Sequence, residues 1–150
     1  MREKTRIRER GFTLIELMVV IVIIGMLAAI ITPRYMERVA QGRITQTKNQ
    51  IRMLEGALKL FYLDNGFYPS TEQGLDALIN QPTAGRIPTN YKPRGYLETE
   101  EIPKDAWGNE YIYRSPATNE RFDYEVISLG ADGLEGGEGE NADIVSWSIQ

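Results

Sequence analysis

The chain has 150 residues, a formal net charge of −4, no cysteine and no histidine. These absences exclude disulfides and thiolate chemistry, and remove both the usual general base near neutral pH and the commonest ligand for zinc or copper. Any metal site must be built from oxygens, which suits a hard cation such as calcium, or magnesium with its tighter octahedron.

Charge is partitioned along the chain. Residues 1–11 carry Arg2, Lys4, Arg6, Arg8 and Arg10 against Glu3 and Glu9. Residues 34–59 carry Arg34, Arg38, Arg43, Lys48, Arg52 and Lys59 against Glu37 and Glu55. No Lys or Arg follows Arg121, whereas seven acids do, from Asp123 to Asp143. A basic stem can therefore pair with an acidic head on a neighbouring copy; a soluble surface with uneven charge explains the pattern equally well.

The first predicted element is an apolar helix. From Leu17 to Ile31 nothing is charged, and Val, Ile, Leu and Met dominate. A helix from Phe12 to Ile31 would be roughly 30 Å long, about one hydrocarbon core. The basic leader then stays in the cytoplasm and the chain crosses once. A secretory signal peptide, a simple anchor and a buried core helix compete with this reading. All three leave Glu16 unexplained. It lies inside the apolar run, four residues after Phe12, where an ionised carboxylate is costly and requires a partner. Cleavage after Gly11 would create one in the new ammonium group of Phe12. A glutamate pairing with the amine of the next subunit would set the axial register of an assembly.

Beyond Pro33, Tyr35, Val39, Ile44, Ile51, Leu54, Leu58 and Phe61 fall at helical spacing. They predict a helix continuing to about Leu63, its apolar stripe covering a sheet. Gly25 and Pro33 bracket a stretch where helical hydrogen bonding is weakened. Asp64, Asn65 and Gly66 stop the helix. Thr71 is the predicted N-cap of a short helix over Glu72–Ile79. Residues 80–105 hold four prolines, Pro82, Pro88, Pro93 and Pro103, and read as an extended loop. Strands are predicted at Glu110–Arg114, Phe122–Ser128 and Ile144–Ile149. The fold class is α+β: one long N-terminal helix, hydrophobic then amphipathic, packed on a small antiparallel sheet.

Leu129 to Asp143 reads LGADGLEGGEGENAD, with five glycines in fifteen residues. Such a run supports neither a helix nor a regular strand. Asp132, Glu135, Glu138, Glu140 and Asp143 crowd together in it. A bound Ca²⁺ would offset both the closure entropy and the repulsion, since it takes six to eight oxygens including backbone carbonyls. The spacing of an EF-hand is missing. By spacing alone, a solvated acidic loop is the favoured reading. No catalytic constellation is evident: Ser115 and Ser128 lack a base, and Glu100 and Glu101 sit on a solvated face. The basic stem lacks interleaved aromatics, which argues against nucleic-acid binding.

The stretch RERGFTLIELMVVIVIIGMLAAI resembles the class III signal of type IV pilins and pseudopilins, with Gly11, Phe12 and Glu16 at the matching positions. The resemblance implies that a membrane prepilin peptidase cuts after Gly11 and methylates the amine of Phe12, which keeps its positive charge. FYLDNGFYPSTEQGLDAL, DAWGNEYIY and SLGADGLEGGEGENADIVSW together are similar to the major pseudopilins of type II secretion systems. One departure is visible: Asp105-Ala106-Trp107-Gly108 stands where the family usually shows Asp-Pro-Trp-Gly. The absence of cysteine counts against an ordinary type IV pilin for adhesion, motility or DNA uptake.

What the resemblance implies is a structural subunit, not an enzyme, with a pilin-like fold. It implies a homo-oligomeric helical filament in the periplasm that promotes export of folded proteins across the outer membrane. The implied partners are minor pseudopilins, the prepilin peptidase, an inner-membrane assembly platform and the membrane itself. The implied organisation is a cleaved leader over 1–11, a transmembrane and filament-core helix over 12–33, and a periplasmic head over 34–150. In related filaments the helix loosens between Gly25 and Pro33. The resemblance also implies Ca²⁺ in the acidic loop, with the Asp132 and Asp143 carboxylates and the Leu129 carbonyl as ligands.

Overall fold

The computed structural model describes residues 11–149, with residues 29–35 described by their backbone alone. Of the expected 1–11 leader, all but Gly11 thus lies outside the described residues. The chain divides into two compact units, one ending at Val39 and the other beginning at Ala40.

A single helix, α1, runs from Leu14 to Asn65. It begins two residues later than the sequence predicts, because Thr13 caps it. The backbone stays helical through Gly25 and Pro33. In the first unit, every large apolar side chain from Phe12 to Ile24 is substantially exposed, as are Met26 and Leu27. Among the described residues no helix is long and apolar enough to cross a membrane. The end of the predicted span, over residues 29–33, falls where only the backbone is described.

In the second unit α1 carries the core. Ile51, Leu54, Leu58 and Phe61 recur every three or four residues, and all four are fully buried. Each contributes about 2–3 kcal/mol of hydrophobic stabilisation. They pack with Leu75, Leu78, Tyr96, Tyr111, Tyr113, Tyr124, Val126 and Ile144. Phe61 is the centre of an aromatic cluster, edge-on to Phe67 at 5.6 Å and tilted against Tyr96 at 5.2 Å. The helix ends because Gly66, at φ 76°, takes the left-handed conformation and returns its N–H to the Tyr62 carbonyl at 2.7 Å. Asn65 fastens this end: its amide donates to the Phe61 carbonyl and to the Tyr96 hydroxyl, and its oxygen accepts from Asn90 N–H.

The predicted helix over Glu72–Ile79 is instead a turn followed by a 3₁₀ segment, Leu75–Leu78. Thr71 does not cap it. The Thr71 hydroxyl donates to the Ser115 carbonyl and accepts from Ser115 N–H, tying the turn to the hairpin. Residues 80–105 form no regular element, as the prolines predict. The segment is pinned where Tyr96 N–H reaches the Leu78 carbonyl at 2.7 Å.

The sheet has three antiparallel strands in the order β1 (Ile112–Arg114), β2 (Glu125–Ser128), β3 (Ile144–Val145). All four residues of β2 are buried. Tyr113 pairs with Val126, and Ser128 with Ile144. β3 stops early because Val126 N–H is taken by the Ser146 hydroxyl at 3.1 Å, and Ser146–Ser148 coil into a 3₁₀ turn. The architecture is the α+β one expected: a long helix and a small antiparallel sheet.

Candidate functional site

Two sites emerge from the chain, one at the start of α1 and one in the loop between β2 and β3. At the first, Gly11 and Phe12 are exposed, Phe12 by 88%. Thr13 and Glu16 then form a reciprocal pair. The Thr13 backbone N–H and hydroxyl both donate to Glu16 Oε2 at 2.9 Å, and Glu16 N–H donates back to Thr13 Oγ1 at 3.3 Å. This is a capping box, in which two orphan donors of the first helical turn are satisfied. Glu16 therefore has a local partner that was not foreseen, although Thr-x-x-Glu ahead of an apolar run was there to be read. The carboxylate is thus held on Thr13, two residues after Gly11 in the sequence.

The second site is the acidic loop. Its neck is closed by Ala131 N–H on the Glu140 carbonyl at 2.9 Å. Gly130 makes the closure possible: at φ 65°, a Cβ would stand 2.6 Å from the Glu140 carbonyl oxygen. A short 3₁₀ turn, Gly139–Asn141, follows. Asp132 is exposed, and its Oδ1 accepts from Leu134 N–H at 3.1 Å. Asp143 Oδ2 accepts from Gly136 N–H at 3.0 Å, bracing the loop across its width. Asp143 Oδ1 is buried and has no hydrogen-bond partner among the described residues. An ionised carboxylate oxygen buried without a donor is costly, and a cation is the partner its chemistry suits. Among the described residues no three acidic side chains converge, so a cation here needs backbone carbonyls as well.

Two buried carboxylates flank the loop. Asp105 accepts from Trp107 N–H, Asn109 N–H and the Ser128 hydroxyl. Glu125, 2% exposed, accepts from the Thr118 N–H and hydroxyl, from Arg114 and from Trp147 Nε1. Burial pushes the Glu125 carboxyl up, but the bonds from Thr118, Trp147 and Arg114 outweigh it and hold the group below its ordinary range. Neither carboxylate activates a nucleophile. Ser128 Oγ donates to Asp105, and Ser115 Oγ, in a cleft of about 840 Å³, donates to the Asp123 carbonyl.

A long N-terminal helix on a small antiparallel sheet, with large apolar side chains exposed from Phe12 to Leu27, is the architecture of the pilin-like class. The model of the family described as type II secretion system (T2SS), protein G matches residues 34–147, and that of the prokaryotic N-terminal methylation motif matches residues 6–32. The chain is 48% identical over 142 residues to the type II secretion system core protein G of Pseudomonas aeruginosa, covering 95% of this chain and 97% of that protein. It is 46% identical over 143 residues to the protein of the same name from Vibrio cholerae, covering 95% and 94%. The crystal structure of the major pseudopilin of the type 2 secretion system of enterohaemorrhagic Escherichia coli superposes with a TM-score of 0.65 at 33% identity, covering 76% of this chain and 94% of that one. The chain belongs to the type II secretion system protein G family. It is a pseudopilus subunit, a structural protein and not an enzyme, and it assembles with other components of that system. Membership together with the methylation motif implies a membrane-anchored periplasmic pseudopilus.

Proposed function

We propose that the chain works by staged assembly. It is stored as a single-pass inner-membrane protein with its head in the periplasm. A prepilin peptidase cuts after Gly11 and methylates Phe12. An inner-membrane platform then extracts the mature chain into a homo-oligomeric helical filament, in which minor pseudopilins also take part.

The observation that carries this reading is the helix start. From Phe12 to Leu27 the large apolar side chains are exposed among the described residues, and an apolar surface of that extent needs lipid or other copies of itself to cover it. At its tip Glu16 is held against Thr13, one turn from the bond after Gly11. Cutting that bond puts an ammonium group on Phe12, next to Thr13. In the apolar environment of a filament the Glu16 carboxylate then has a cation to pair with, supplied by an adjacent subunit, and the pairing sets the axial register.

The second part of the proposal is Ca²⁺ in the acidic loop. Asp143, whose buried Oδ1 lacks a donor, and Asp132 would supply carboxylates, and Leu129 a carbonyl. The cation would neutralise the crowded acids and fasten the loop to the sheet.

Mass spectrometry of the mature protein tests the processing. The expected first residue is Phe12 carrying a methyl group. An intact Met1, or a cut beyond Ile31, would end this reading.

A further inference from the structure

The DAWGN turn over residues 105–109 is hydrogen-bonded to the chain on both sides of Leu129, the place where a carbonyl ligand would sit. Ser128 and Gly130 flank Leu129, and both are held by this turn. The Ser128 hydroxyl donates to Asp105 Oδ2 at 2.6 Å and accepts from Gly130 N–H at 3.3 Å. The Asn109 side-chain amide donates to the Gly130 carbonyl at 2.8 Å. The turn is itself rigid. Asp105 Oδ1 accepts from the N–H groups of both Trp107 and Asn109, and Asp105 N–H returns to the Asn109 carbonyl at 2.9 Å. It is also moored to α1, since Ala106 N–H donates to Thr47 Oγ1 at 3.2 Å and Thr47 is fully buried. A continuous chain of hydrogen bonds thus runs from the helix through the turn to the backbone on both sides of Leu129. Asp105 and Ser128 are almost wholly buried, so these bonds form away from competing water. The loop's other tie to the hairpin, Arg114 to Glu135 at 3.6 Å, is exposed and correspondingly weak.

We propose that Asp105, Ser128 and Asn109 are positioning residues for the cation loop: they fix the backbone around Leu129 so that its carbonyl is presented to Ca²⁺ before the ion arrives. This rests on the calcium reading above. None of the three touches the ion. They lower the ordering cost that a glycine-rich loop would otherwise meet on binding.

The test uses the full-length chain in detergent, titrated with CaCl₂ by calorimetry and melted with EDTA or with excess calcium. Asn109→Ala removes one side-chain bond at a half-buried position, and Ser128→Ala removes two bonds at a buried one. Each is expected to weaken calcium binding by about tenfold or more, the usual effect of losing an outer-shell partner; the melting temperature in EDTA should move little for Asn109→Ala and fall for Ser128→Ala, which strips the buried Asp105 Oδ2 of its donor. In EDTA, hydrogen exchange at the Gly130 and Ala131 amides should accelerate in both variants. Binding within twofold of the parent in both variants, with the parent binding calcium, overturns the positioning role and leaves the calcium reading intact. In Asn109→Ala, loss of affinity matched by an equal loss of EDTA stability reduces the network to ordinary packing and also overturns it. A parent chain that binds no calcium overturns the calcium reading itself.

Discussion

Glu125 shows how one residue can bind an edge of the fold together. It lies opposite Arg114 in the β1–β2 register, and its carboxylate gathers donors from the Thr118 turn and from Trp147 beyond β3. Three separate stretches of chain therefore end on two oxygens. A carboxyl held below its ordinary value of 4.5 stabilises the folded state fully above that pH, and the contribution is lost as pH falls through the lower folded value. Glu125→Gln should cost about 2 kcal/mol near neutral pH, because a neutral amide cannot accept from all four donors. It should also flatten the acid limb of the melting-temperature profile below about pH 4.5. Thermal melts of both proteins across that range check both effects. An unchanged acid limb would show that other carboxylates govern it. Nothing in the sequence marked Glu125, since its donors come from positions whose convergence depends on tertiary packing.

At the scale of elements, α1 was legible and the smaller pieces were partly so. The repeat of Ile51, Leu54, Leu58 and Phe61 carries its own period, and Asn65 and Gly66 carry their own stop signal, so the helix and its end could be read directly. Three strands were placed in the right stretches but drawn too long. β3 is short because a serine side chain, Ser146, substitutes for a ladder partner. Thr71 misled because a hydroxyl that can cap a helix was used instead to tie two distant segments. The acidic loop was located by composition alone, but its closure depends on which glycine stands where. Gly130→Ala should be severe, about 3 kcal/mol or more, because strain at positive φ adds to a backbone clash. Gly136→Ala meets no atom within 4 Å and should cost only the strain of its φ, about 1 kcal/mol. Paired melting curves check the ranking, and equal losses would mean that the neck contact at Glu140 carries no weight.

For the whole molecule, the two ends of the chain serve different tasks. The head from Ala40 onward has its own core, to which all three strands contribute through Tyr113, Val126 and Ile144. In the first half of α1 and just before it, the large apolar side chains from Phe12 to Leu27 stay exposed among the described residues, and the proposed assembly gives them a cover. Glu16 is where these demands meet: the structure gives it a capping duty, and the proposed assembly adds a second. As a capping residue it serves the helix of its own chain; as a charge it would serve the neighbour. Glutamine can fill the same position in a capping box but cannot neutralise an amine. The Glu16→Gln chain, expressed in place of the native copy, therefore separates the two. The expected result is that it is cut after Gly11 yet fails to build filaments, and that export falls by at least about tenfold, the factor that only about 1.4 kcal/mol represents in an equilibrium. Normal filaments and full export from that chain would contradict the account.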